Sequence, residues 1–148
     1  NPRSEVNTHF ASPPYAYEEQ RLPGVHTVLK SYDILGGPAT LNVVWCSEKY
    51  AAAQPKLHQA FIAALKESMD RINADKKAAA SVYIAMSGDK TPLEQIVQQL
   101  EDPDTRYDIV PHRVGVIADF MRRIGTIKKP YESWRDFYFP ELQQLGGN

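Results

Sequence analysis

The residues of this sequence best suited to holding a ligand lie ahead of position 47. Ser12-Pro13-Pro14 stands directly before Tyr15-Ala16-Tyr17-Glu18-Glu19-Gln20, the pattern of an N-cap, a proline at the first helical position and a short helix. Free backbone N–H groups at such a helix start, with the helix dipole behind them, suit an anion such as nitrate, a sulfonate or a carboxylate. Pro13 and Pro14 subtract two donors from that site, and a plain cap explains Ser12 equally well. His9 lies on the run that leads into this turn. The second candidate is Gly36-Gly37-Pro38-Ala39-Thr40. Its glycines allow positive φ and close backbone approach, its proline fixes the path onward, and Thr40 presents a hydroxyl. A simple connecting turn uses the same letters.

Other reactive side chains do not assemble. His9, His26, His58 and His112 lack the i, i+4 spacing of a metal or catalytic pair. Cys46 is the single cysteine, without the spaced Cys and His companions of a zinc or iron–sulfur site, and reads as a small buried apolar residue. No cofactor or metal is expected. Trp134 with Phe137-Tyr138-Phe139 reads as core closure in preference to a stacking platform.

The elements that must position these residues follow from spacing. Val25 to Leu29 and Leu41 to Cys46 read as strands, with Glu5 to Phe10 and Tyr107 to Val110 as further extended pieces. Beyond Ser47 the sequence reads helical. Pro55 can open a helix buried through Leu57, Phe61, Leu65, Met69 and Ile72, and Asp75 caps the next, which turns Ala78, Ala79, Val82, Tyr83 and Met86 inward. Thr91-Pro92-Leu93-Glu94 is a capping box ahead of the stripe Leu93, Ile96, Val97 and Leu100, stopped at Asp102-Pro103-Asp104. Pro111 opens a helix buried through Val114, Ile117, Met121 and Ile124 and stopped at Gly125. Ser133 to Leu145 is a short aromatic helix or turn broken at Pro140.

The 148 residues fit one domain, with 43% hydrophobic and 24% charged residues. That is ordinary soluble globular composition, without an apolar run long enough to span a bilayer. A net charge of -1 argues against nucleic acid as a partner. The polar first residues show no basic-then-apolar leader, so compartment is not legible there.

Taken in order, Val6 to Tyr15, Pro23-Gly24-Val25, Ser31-Tyr32-Asp33, Gly36 to Trp45, the Pro55 helix, Asn73-Ala74-Asp75, Asp102-Pro103-Asp104 and Ser133-Trp134-Arg135-Asp136-Phe137 resemble the C-terminal half of ABC-transporter substrate-binding proteins for nitrate, sulfonates and taurine. The resemblance implies an α/β fold, the C-terminal half of a two-lobed type II periplasmic binding protein, predominantly helical with a few strands. Residues 1–30 would end the second lobe, 31–45 would be the return crossover or hinge, and 46–148 would complete the first lobe.

It further implies a periplasmic or lipid-anchored extracytoplasmic solute-binding component, not an enzyme. A small, anionic solute would be held by His9, Ser12, Pro13, Gly36, Gly37 and Thr40 and delivered to an ABC permease in the membrane. The family's leading half has no counterpart here, so the chain reads as a fragment with exposed edges, and self-association is expected. Two rivals stand beside this reading. One is a mostly helical interaction module without a small-molecule site. The other is an enzyme of thiamine-pyrimidine synthesis from the same superfamily, whose cysteine-rich segment is missing from this sequence.

Overall fold

The computed structural model describes residues 5–148. The first four residues of the expected 1–30 unit lie outside them. Among the described residues eight α-helices follow one another: α1 Tyr15–Gln20, α2 Ser31–Leu35, α3 Glu48–Ala53, α4 Pro55–Ala74, α5 Lys76–Ser87, α6 Leu93–Glu101, α7 Val114–Arg123 and α8 Pro140–Gln143, with a 3₁₀ turn at Trp134–Phe137 before the last.

Among the described residues there is no strand. This corrects the expectation of an α/β fold and of half a type II periplasmic binding protein. The four runs read as strands, 5–10, 25–29, 41–46 and 107–110, carry no strand pairing. Helices satisfy their own backbone, whereas a strand exists only through a neighbour, and no neighbouring strand is supplied here. Cys46 is accordingly half-buried in irregular chain. It is not a core residue of a sheet.

The helices form where local chemistry favours them. Pro55 sits in the first turn of α4, where its missing N–H costs nothing. The Asp75 carboxylate accepts from the Ala78 N–H at 2.8 Å, capping α5, and Gly88 closes that helix in the left-handed conformation. Ser47 caps α3 through the Tyr50 N–H. The Thr91 capping box does not form, because Pro92 itself is the N-cap of α6 and no side chain caps it. Asp89 instead accepts from the Thr91 N–H at 2.8 Å, which holds its carboxyl below the ordinary range.

Packing is closest between α5 and α6, with α4 lying against α5. Ile96 is buried as its periodicity predicts, and Leu93, Val97 and Leu100 are half-buried beside it. On α5 the inward face differs from expectation. Ala80 is fully buried, while Val82, Tyr83 and Met86 are exposed, Met86 to 85%. Of the expected inward alanines Ala79 is half-buried and Ala78 exposed, so the close approach is made at Ala80 and the large side chains are left outside. Leu57 and Phe61 on α4 are exposed as well, and only Leu65, Met69 and Ile72 of that stripe are partly covered.

The second cluster gathers around the last residues. Pro111 is fully buried, Trp134 and Ala39 nearly so, and the Pro111 carbonyl accepts from the Asn148 N–H at 3.0 Å. Trp134 thus closes a core, as its place in an aromatic run predicts. The whole remains sparsely packed. A compact monomer of 16.7 kDa exposes about 7,600 Å², whereas this chain exposes 11642 Å², an excess of roughly 4,000 Å².

Candidate functional site: the groove between α2 and α7

Helix α2 ends at Gly36, which adopts φ 76, and Gly37 follows at φ 138. Both glycines lie under the Arg113 guanidinium, so that a Cβ on either would meet it at 3.5 to 3.7 Å. The Arg113 Nη2 donates to the Gly36 carbonyl at 2.7 Å. Two residues further on, Ala39 is buried, and Thr40 is tied to the chain before α7 in both directions. Its N–H donates to the His112 carbonyl at 2.9 Å, and its hydroxyl accepts from the His112 N–H at 2.9 Å.

Arg113 itself has φ 55, a left-handed conformation that costs a non-glycine residue about 1 to 2 kcal/mol. Hydrogen bonds from both sides hold it there. Its N–H donates to the Asn148 side-chain oxygen at 2.8 Å, and the next N–H, of Val114, donates to the Asn148 carbonyl at 2.9 Å. The N-terminus of α7 is therefore occupied by oxygens of Asn148.

With α2 pinned to α7 in this way, an open groove of about 1080 Å³ lies between them. Ile34, Leu35, Leu41, Val116, Ile117 and Phe120 make its apolar walls. Asp119, Arg122 and Arg123 line it as well. Asp119 is engaged by the Tyr131 hydroxyl, which donates to it at 2.5 Å and whose own pKa is raised by that carboxylate. Arg122 and Arg123 lie over the Tyr131 and Phe120 rings at 5.8 and 5.3 Å, placements in which an aromatic face steadies a cation while leaving its N–H groups available. Chemically the groove offers an apolar bed with two arginines and an aspartate among its lining residues.

Three of the six expected site residues, Gly36, Gly37 and Thr40, come together at this junction. The other three do not reach it. His9 is exposed and pairs through Nδ1 with Glu19 at 2.7 Å. Ser12 is exposed, and it is the Ser12 carbonyl, not the hydroxyl, that accepts from the Ala16 N–H. Pro14 is the N-cap of α1, with no side-chain cap, because Pro13 and Pro14 stand just ahead of the helix and offer no N–H for the Ser12 hydroxyl to accept from. Pro13 is exposed beside it, joined to Pro14 by a cis peptide bond.

A separate polar contact joins α1 to α6. There the Tyr17 hydroxyl donates to Asp102 at 2.9 Å and Arg21 donates to Gln95 at 2.6 Å. Burial raises the Tyr17 pKa, and Asp102 adds to the shift. A smaller pocket of about 210 Å³ lies there, lined by Tyr17, Gln20, Arg21, Gln98 and Gln99.

Sequence reasoning missed Arg113, Arg122, Arg123 and Asn148. The paired arginines at the end of an amphipathic stripe were a usable signal. The left-handed Arg113 was not, since only Gly, Asn and Asp commonly announce that conformation. Among the described residues no three His, Cys, Asp or Glu side chains gather as a metal-binding group, and no helix is long and apolar enough to cross a membrane. No protein-family model matches this chain, and no curated protein or solved structure matches it.

Proposed function

We propose that this chain captures a small organic anion in the groove between α2 and α7, as the solute-binding component of an importer. The observation that carries this reading is the pairing of apolar walls with Arg122 and Arg123 at one open groove, bordered by the Gly36 to Thr40 segment that the sequence resemblance singles out. An alkyl or aryl body would lie on Ile117 and Phe120 while its sulfonate or carboxylate takes N–H groups from the arginines. Capture and release involve no bond making. Delivery to an ABC permease on the extracytoplasmic side is the part of the reading that rests on the resemblance alone.

Calorimetric titration with hexanesulfonate, benzoate and nitrate tests it. Hexanesulfonate should bind more tightly than nitrate, which has no apolar body to bury. Replacing Arg122 and Arg123 together by Gln should weaken it by about 1 to 3 kcal/mol. His9→Ala and Ser12→Ala should leave the affinity unchanged, because both lie at α1. Equal binding of nitrate and hexanesulfonate, or indifference to the double replacement, would assign the groove to packing alone.

A second reading has its own support. The surface excess of roughly 4,000 Å² favours a helical interaction module whose exposed apolar side chains are covered by another protein surface.

A further inference from the structure

The run Leu41-Asn42-Val43-Val44-Trp45-Cys46 is rich in β-branched and aromatic residues, yet none of its backbone groups takes part in a hydrogen bond among the described residues. Its large side chains are also uncovered: Leu41 is 57%, Val43 60%, Val44 67% and Trp45 84% exposed. Both ends are fixed. Thr40 is bonded to His112 on one side, and Ser47 caps α3 on the other. The structure therefore holds out a six-residue segment of strand-forming sequence with every ladder position open.

We propose that this run is the interface of a two-fold dimer, in which it pairs antiparallel with the same run of a second copy about Val43. The sequence is self-complementary in that register. Val43 faces its own copy, Leu41 faces Trp45, and Trp45 faces Leu41, so that one face carries a valine pair flanked by two aliphatic–aromatic pairs. Centring on Val44 would instead set Asn42 against Cys46. An isologous contact of this kind satisfies both copies at once.

Two further observations favour a second copy as the occupant. Each chain leaves roughly 4,000 Å² uncovered beyond that of a compact monomer, more than the about 1,000 to 2,500 Å² that one partner of an obligate homodimer contributes, so the surface a second copy needs is at hand. A net charge of -1 puts little repulsion between like chains. Because the run is anchored at both ends, pairing it costs less ordering than pairing a free tail.

Cross-linking and sedimentation test the register and the state together. In a Cys46→Ser background, Val43→Cys should form an intermolecular disulfide under mild oxidation, since directly opposed residues have Cα atoms about 5 Å apart. Val44→Cys, offset from its own copy by two residues along the strand, should react at least about tenfold more slowly, because its separation exceeds disulfide range. The unoxidised wild-type chain should show a monomer–dimer equilibrium by sedimentation. Val43→Pro should weaken it about a hundredfold by removing a ladder donor, with its far-ultraviolet helical signal retained because residue 43 lies outside the helices. A chain that stays monomeric from micromolar to millimolar concentration overturns the proposal. So does equal cross-linking at 43 and 44, or a dimer indifferent to Val43→Pro.

Discussion

The α5 and α6 hairpin and the stretch from Leu22 to Cys46 both carry large apolar residues, and they use them in opposite ways. In the hairpin every backbone group inside a helix is satisfied locally, so the side chains have only to find one another. Ile96 and Ala80 do so, and both are buried. Between Leu22 and Cys46 only the short α2 is regular, and Leu22, Val28, Leu29, Val43 and Trp45 are all more than half exposed. This stretch is held mainly by polar links, among them Lys30 to Asp104 at 2.7 Å and Arg113 to Gly36. Exposed links of this type contribute little, because water competes for both partners and salt screens the charges. Apolar content alone does not build a core, since a strand-forming run needs a partner backbone before its side chains can pack.

The sharpest way to break this contrast is to truncate one apolar side chain in each region. Ile96→Ala should cost about 2 to 5 kcal/mol, the range for emptying a buried aliphatic site. Val44→Ala should change the stability of the dilute monomer by less than about 0.5 kcal/mol. Urea unfolding followed by helical circular dichroism measures both. Equal losses would mean that the 41–46 run is packed within its own chain, and the distinction between the regions would disappear.

A smaller effect concerns how the C-terminal cluster is joined to the groove. Gly147 has no room for a side chain: an added Cβ would lie 2.7 Å from the Pro111 carbonyl oxygen and 3.0 Å from the Trp134 ring. Gly147→Ala should therefore cost about 1 to 3 kcal/mol, as overpacking does. It should also displace Asn148 from the Arg113 and Val114 N–H groups. Faster amide exchange at Val114 in this variant, with exchange in α5 unchanged, is the expected signature. An unaltered Val114 would separate the tail from the α7 terminus.

Much of the helical framework was legible in advance. Pro55, Asp75 and the stripe through Ile96 act locally, within one or two turns, and the structure uses each of them nearly as the spacing predicts. What was not legible depends on distant neighbours. The faces of α5 could not be assigned from periodicity, because the close approach of α6 selects Ala80 over Val82 and Met86. The strand-like runs carried the right residue types, but propensity describes a fit to a sheet and cannot supply the sheet. Beside the groove, the turn through Gly36, Gly37 and Thr40 was legible as a turn from its residue types. Arg113, the partner of Gly36, lies 77 residues from it, and no local pattern announces a bond of that span. His9 and Ser12 were misplaced for a related reason: the same letters that spell a capped helix also spell a proline turn whose serine stays outside.

The smallest expected effect is a pH dependence confined to the tail, and it asks whether the C-terminal cluster is stabilised by local bonds as the helical hairpin is. Asp136 accepts from the backbone N–H groups of Glu132 at 2.8 Å and Ser133 at 3.2 Å. Those two bonds favour the ionised carboxyl and hold its pKa below the ordinary value. A carboxyl depressed in the folded state stabilises it above the ordinary carboxylate range, near pH ~4, and this contribution is lost as pH falls through the folded value. Wild type should accordingly lose protection at the Glu132 and Ser133 amides on acidification from neutrality to below pH ~4. Asp136→Asn, which keeps a carbonyl acceptor but cannot ionise, should show weaker protection at neutral pH and no such step. Amide exchange measured by nuclear magnetic resonance across that range resolves the two residues individually. An identical acid profile in wild type and variant would trace the loss to another carboxylate, with Asp89 and its bond to the Thr91 N–H the next to replace.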